Sequence, residues 1–315
     1  MNQTVKLESS PSTANQVDTT APDFVPTHPS PLREFWATFS QNKGAVIGLC
    51  LFAVLLFCAI FAPILAPHDP IEQYRDFMLT PPSWTEGGNP QFLLGTDEVG
   101  RDILSRLMHG AQLSMGVGFI SVILSMIPGI IFGLVAAFFP KYIGSFIMRM
   151  VDITMAFPFL LLAIVIVIVL SPSLATTVVA VSIVNLPAYV RMMRAEAMSQ
   201  MNRDYVMASR VSGAGLLRIM FVSVLPNCMA PLIVQGTMGF SSAILEIAAL
   251  GFLGMGIQPP AAEWGTMLSS ARDYISSAWW VVTFPGITIL ISVLSINLMG
   301  DGLRDALDPK MKKMG

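Results

Sequence analysis

Six apolar stretches, at about residues 44–66, 112–139, 150–170, 175–193, 228–256 and 278–300, are each long enough to cross a hydrocarbon core of roughly 30 Å at about 1.5 Å per residue. Within such a core no water satisfies the backbone, so each stretch must pair its own N–H and C=O groups. Helices do this, and the chain is expected to be an all-α membrane protein with six transmembrane helices. The composition agrees: 54% of residues are hydrophobic and 12% charged, and the mean hydropathy is +0.66. Pro128, Pro158, Pro187 and Pro285 fall within or near the ends of these spans, where they kink a helix or mark places that neighbours fill. The first stretch starts too late and runs too long for a cleaved signal peptide, and no A-x-A site follows it.

Other chemistries find little support. Cys50, Cys58 and Cys228 lie in or beside apolar runs without a C-x-x-C, which reads as small buried hydrophobes. His28, His68 and His109 are scattered and no H-E-x-x-H occurs, so no metal is expected. The Lys and Arg residues form no basic stripe, which argues against nucleic acid. No G-x-S-x-G or cofactor fingerprint appears. No lysine follows a glycine, so the phosphate loop of an ATPase is absent and the chain is expected to be no enzyme by itself.

Residues 1–29, rich in Ser, Thr and Pro, read as a flexible cytoplasmic tail. Residues 30–43 read as an amphipathic interfacial helix. Ser30 is its N-cap, Pro31 its first residue, and Leu32, Phe35, Trp36 and Phe39 its apolar face, turned to lipid or to protein. With the N-terminus inside, 14 Lys and Arg fall in inner segments and 4 (Arg75, Arg101, Arg106 and Arg272) in outer ones. Positive charge is retained inside, so both termini are expected in the cytoplasm. Trp264, Trp279 and Trp280 are then expected at the outer boundary. The remaining organisation is an outer loop at 67–111, a five-helix core at 112–300 with an inner loop at 194–227, and a cytoplasmic C-terminus at 301–315.

That inner loop, "DYVMASRVSGAGLLRIMFVSVLPN" (204–227), carries structure signals of its own. Asp204 is expected to cap a helix running through Ser212, Gly213 to supply the left-handed turn, and a second helix to run on to Pro226. Ala208, Ser209 and Ser212 beside Gly213 and Ala214 make a low-relief surface that another protein's groove can approach.

The loop resembles the cytoplasmic motif of bacterial ABC importer permeases: Glu-Ala-Ala, three residues, Gly, nine residues, Ile, one residue, Leu-Pro. Ala208, Gly213, Leu225 and Pro226 match in register, while Met207, Ser209 and Ser223 stand where the Glu, the second Ala and the Ile would be. The segments "LLGTDEVGRDILSRLMHGAQLS", "LPNCMAPLIVQ", "ALGFLGMGIQPPAAEWGTML" and "LMGDGLRDALDP" look like the peptide and nickel branch of that family, more narrowly its six-span dipeptide members. The resemblance covers residues 31–313 and implies a type I ABC permease fold in a bacterial inner membrane. It implies a second, related permease subunit as heterodimer partner, two ATPase subunits that use ATP and Mg, a periplasmic peptide-binding protein, surrounding lipid, and no cofactor on this chain. It makes the elbow the ATPase-coupling element, with Asp204, Tyr205, Met207, Ala208, Ser209, Ser212, Gly213, Ala214, Leu225 and Pro226 as its residues. Short peptides are the implied cargo, with nickel, oligopeptides, haem or antimicrobial peptides as alternatives on the same machinery.

In the outer loop, Thr96 and Asp97 are expected to cap a short helix on which Asp102 and Arg106 pair. Glu263 or Asp273 is available to a charged external partner. Within the spans, Asp152 is expected to pair with Arg149. Glu246 has no partner on its own helix, and Asn185, Gln235, Ser241, Ser242, Glu246 and Asn297 are candidates to line a passage or to bridge helices. An ion-driven secondary transporter is the cross-class alternative, which needs an intramembrane relay of several ionisable groups; a non-transporting assembly subunit is another.

Overall fold

The computed structural model describes residues 30–307. The expected tail at 1–29, and Lys310, Lys312 and Lys313 of the C-terminal segment, lie outside the described residues. Among the described residues there is no strand, only an isolated bridge between Thr96 and Asp102.

Helix α1 (Pro31–Gln41) has Ser30 at its N-cap, without a side-chain cap bond, and Pro31 in its first turn. Its apolar face is shared between two surroundings. Phe39 is buried with Ala45 and Ala306, and Phe35 packs on the same cluster, whereas Leu32 and Trp36 are exposed. Helix α2 (Lys43–Ile60) starts at Asn42, whose Oδ1 accepts from the Ala45 N–H at 3.1 Å. The Asn42 amide also donates to Asp305 at 3.1 Å, fixing the start of α2 to the end of the chain's last long helix. A break at Phe61 then leads into the single turn α3 (Ala62–Leu65).

The longest helix, α4 (Ile103–Phe138), spans 36 residues, about 54 Å, and so projects beyond a bilayer core. Helices α7 (Leu174–Met201), α10 (Met229–Phe252) and α12 (Trp279–Leu307) complete the set of long apolar rods. Pro128, Pro187 and Pro285 lie inside α4, α7 and α12, which run on through them. The main axis of packing is α4 along α7, with α12 between α2 and α10. Small residues set these approaches: a Cβ at Gly129 would lie 2.5 Å from that of Tyr189, and one at Gly133 2.7 Å from that of Met193. Gly129 and Gly133, four apart, form the flat strip against which α7 rests. Gly48 on α2 does the same against Ser295 and Leu298 on α12.

The third expected span differs. Instead of one helix over 150–170, a wide turn at Pro140–Gly144 leads into α5 (Ser145–Ala156), and α6 (Phe159–Leu170) departs at 96°. The break falls at Phe157 and Pro158. Proline removes the N–H that would continue the helix and biases its predecessor to extended backbone; Phe157 has φ −88° and ψ 137°. Among the described residues, five helices are therefore long and apolar enough to cross a membrane on their own, and up to six spans result if the bent pair counts as one.

Candidate functional site

Between α7 and α10 the chain forms a compact elbow. Helix α8 (Asp204–Val211) follows Met201 after a two-residue turn. Its N-cap is Arg203, not Asp204; Asp204 is the first helical residue and makes no cap bond, placing its carboxylate in the first turn, where the helix dipole favours it. The C-terminus follows a Schellman pattern. The Gly213 N–H donates to the Arg210 carbonyl at 3.0 Å, the Ala214 N–H to Ser209 at 3.1 Å, and Gly213 takes φ +81°. The Ser212 hydroxyl also donates to the Ala208 carbonyl at 2.9 Å. Helix α9 (Leu216–Arg218) then continues through a wide turn (Ile219–Val224) and a tight one (Leu225–Cys228), the latter containing Pro226, into α10. The second helix of the elbow is thus continuous with the fifth span.

One side chain of α8 is fully buried. Val206 packs with Leu134 of α4, Met193 and Ala197 of α7, and Ile219, Met220, Val224 and Leu232. Ala214 and Leu225 pack on the same cluster. The Tyr205 hydroxyl donates to Gln200 Oε1 at 2.9 Å, a second tie to α7. The opposite side is open. Met207, Ala208, Ser212 and Gly213 are exposed, Ser209 is half-buried, and Val211 is 88% and Leu217 68% exposed. The elbow therefore combines an anchored inner face with an unusually apolar outer face, the form of a surface that a protein groove covers. Neither Val206 nor Val211 is distinguished by local sequence; only the packing separates anchor from contact.

The residues expected along a passage fall into two groups. Asn185 on α7 donates to Glu246 Oε2 on α10 at 2.5 Å, and Ser241 on α10 donates to Asn297 on α12 at 2.6 Å. Gln235 and Ser242 make no side-chain hydrogen bond among the described residues. Ser241–Asn297 and Asn185–Glu246 therefore each bridge two helices, and Glu246 also recurs with Gln235 and Ser242 at the spacing of a single helical face.

At the opposite end of the bundle, the segment between α3 and α4 is held by buried charge. Thr96 and Asp97 cap no helix. The N-cap of α4 is instead Asp102, whose Oδ2 accepts from the Ser105 N–H at 2.9 Å and its hydroxyl at 2.6 Å. Nor does Asp102 pair with Arg106. Arg106 lies 3.5 Å from Asp97 and donates to the Pro70 carbonyl at 2.9 Å, while Arg101 holds Asp97 at 2.6 Å and Glu98 at 3.2 Å. Burial, with Asp97 adjacent, pushes the Glu98 carboxyl above its ordinary range.

Glu263 does not face an external partner. It is fully buried as N-cap of α11 (Trp264–Ser270), accepting from the Gly265 N–H at 2.8 Å, the Thr266 N–H at 2.7 Å, the Thr266 hydroxyl at 2.9 Å and the Ser114 hydroxyl at 3.4 Å. Burial raises its carboxyl, against the pull of those donors. Trp264 and Trp280 are likewise buried, donating to the Leu107 and Thr96 carbonyls at 3.1 Å each; of the three expected boundary tryptophans only Trp279 is exposed. Asp152 pairs not with Arg149 on its own helix but with Arg191 on α7, at 2.5 Å.

The described residues thus form a bundle of long apolar helices with an elbow anchored on one side and exposed on the other. The chain belongs to the family of binding-protein-dependent transport system inner membrane components, whose model matches residues 129–313; that of the N-terminal TM domain of oligopeptide transport permease C matches residues 30–82. It is 66% identical over 285 residues, 90% of this chain and 94% of the relative, to the di/tripeptide transport system permease protein DppC of Pseudomonas aeruginosa (strain UCBPP-PA14). It is 58% identical over 284 residues, 90% of this chain and 95% of the relative, to the dipeptide transport system permease protein DppC of Escherichia coli (strain K12). The fold is shared with a chain of the MetNI methionine ABC transporter in an inward-facing conformation, with a TM-score of 0.55 and 20% identity over 64% of this chain and 96% of that one. The chain is thus a multi-pass inner-membrane permease subunit of an ABC transporter, a class that works with ATPase and substrate-binding partners.

Proposed function

We propose that this chain is one permease half of an ATP-driven importer of dipeptides and short peptides, and that the elbow α8–α9 is where the ATPase acts on it. The observation that carries the reading is the elbow's two-sided construction: Val206 buried against α4, α7 and α10, and Met207, Ala208, Val211 and Ser212 open on the other side. A rigid body seated in an ATPase cleft by its outer face passes displacement to three long helices through its inner face. Asp204, Tyr205, Ser209, Gly213, Ala214, Leu225 and Pro226 shape or anchor that body. Its low-relief face lacks the acidic residue of the family motif, Met207 standing there instead, so its seating relies on shape and apolar contact.

On this reading the elbow and both termini are cytoplasmic, which the Lys and Arg distribution supports, and the segment 67–102 faces the periplasm. A second, different permease subunit closes the passage, two ATPases supply ATP hydrolysis with Mg, and a periplasmic binding protein delivers peptide. This chain supplies no nucleotide site and binds no cofactor. The dipeptide cargo rests on the names of the relatives. The test is uptake into vesicles containing the full set of subunits: accumulation of labelled dipeptide that requires ATP and both ATPases is expected. Uptake driven by an ion gradient without ATP overturns the reading.

A further inference from the structure

On the reading above, the Glu246 carboxyl lies at membrane depth, and among the described residues no Lys, Arg or His pairs with it. It sits six residues from the end of α10 at Phe252, about 9 Å below that end, which places it in the outer part of the span. A charged side chain facing lipid there costs several kcal/mol, so this face of α10 addresses a wet passage or a polar partner. Ser242 lies one turn further in and is exposed, and Gln235 lies about 16 Å deeper on the same face. The stripe thus runs from a carboxylate at the outer end to neutral hydroxyl and amide groups inward.

The hydrogen bonds at its outer end leave acceptors and no donors. Asn185 spends both amide hydrogens, one on the Val181 carbonyl at 3.1 Å and one on Glu246 Oε2 at 2.5 Å. The reverse orientation of that amide would set its oxygen against two acceptors, so Asn185 Oδ1 remains as a further acceptor. Among the described residues, Glu246 Oε1 has no hydrogen-bond partner. Glu246 Oε1 and Asn185 Oδ1, carried on α10 and α7 by side chains that the Asn185–Glu246 bond holds together, are acceptors with no donor among the described residues, the chemistry that suits a compact cation with several N–H donors. A primary ammonium has that chemistry, and every unblocked peptide carries one.

We propose that Glu246, with Asn185, forms a subsite for the α-ammonium group of the peptide as it leaves the binding protein and enters the passage. The proposal rests on the peptide-import reading and adds the group that is recognised and the residues that recognise it. Passage remains fast because the contact is single and the deeper positions, Ser242 and Gln235, carry no charge that would hold the cation.

The experiment uses the complete transporter in proteoliposomes with peptide-loaded binding protein, and compares Glu246→Gln, Glu246→Asp and Glu246→Lys for uptake, ATP hydrolysis and retention of the second permease subunit. A charge role and a packing role rank these differently. Gln keeps the size and the bond to Asn185 but loses the charge; Asp keeps the charge and loses a methylene. The expected result is a fall in uptake per ATP hydrolysed of about tenfold or more for Gln, a larger fall for Lys, and a value within about threefold of the parent for Asp, the scale of one charged contact. Gln behaving as the parent while Asp fails overturns the proposal, because Glu246 is then a spacer. Loss of the second permease from the Gln and Lys complexes also overturns it, since a cation of that subunit would then be the partner. Failure of the unsubstituted transporter to accumulate dipeptide with ATP defeats the import reading itself, and is scored separately.

Discussion

Replacing Gly213 by valine isolates the elbow's turn from everything around it. Gly213 takes φ +81°, and a Cβ built there meets no atom within 4 Å. No clash with the bundle accompanies the substitution, so its cost is backbone strain alone. Left-handed backbone costs an L-residue roughly 1–2 kcal/mol, more when the side chain is β-branched and less for asparagine. The Schellman bonds from Gly213 and Ala214 to Arg210 and Ser209 depend on that conformation. Strain of about 1.4 kcal/mol reduces the population of the intact turn about tenfold relative to its opened forms, while insertion and helix packing are unchanged. The assay is paired: dipeptide uptake and ATP hydrolysis by the reconstituted complex, for Gly213→Asn, Gly213→Ala and Gly213→Val. Uptake per ATP should fall in that order, with normal amounts of assembled complex. Equal coupling in all three variants refutes the idea that this turn transmits force.

Further expectations follow from the bundle and from the loop opposite the elbow. Gly133→Leu drives a side chain into Met193 and the Val190 carbonyl, each 2.7 Å from a Cβ there, and should lower the thermal midpoint in detergent by an amount equivalent to about 1–3 kcal/mol or more. Glu263→Ala strips α11 of its cap acceptor and leaves the buried Gly265 and Thr266 N–H groups unpaired, for a loss of about 1–3 kcal/mol; an unchanged midpoint would contradict the assignment. The folded state raises the Glu98 carboxyl and so holds its proton to higher pH than the unfolded chain does. This group's contribution to stability therefore declines as pH rises from the ordinary carboxylate range to its raised value, and Glu98→Gln should flatten the thermal midpoint over that window. The exposed pair Asp152–Arg191 is worth about 0–1 kcal/mol, so Asp152→Asn should change stability by no more than that, with the difference shrinking in high salt.

The long rods were legible because apolar length is a local property: α2, α4, α7, α10 and α12 each overlap an expected span. Their ends were less so, since α4 begins nine residues before 112 and α7 continues eight beyond 193, where polar residues lie on helices that have already left the core. The break of the third span was hidden by continuous hydrophobicity; Pro158 marks the place, but Pro128, Pro187 and Pro285 sit inside unbroken helices, so proline alone does not decide. The elbow's turn was readable because glycine with positive φ is a local requirement, whereas its cap moved by one residue to Arg203. Charge partners were the least legible. Asp152 found Arg191 on α7, a helix distant in sequence, whereas Arg106 found Asp97 in the loop just before α4 and Glu263 turned inward to cap α11, the helix it precedes, so pairing one turn along a helix predicted none of the three. Within the stripe of α10, the sequence supplied Glu246 and Ser242 but not the contact from Asn185, which depends on how α7 and α10 cross.

The central claim is that the outer face of α8 lies in the cytoplasm, in contact with an ATPase. A single cysteine at Ala208, in a chain whose Cys50, Cys58 and Cys228 are replaced, tests it with a membrane-impermeant maleimide. Labelling is expected in inside-out vesicles stripped of the ATPase, with protection when the ATPase is added back and none in intact cells. Labelling of intact cells, or labelling unaffected by the ATPase, would contradict the claim.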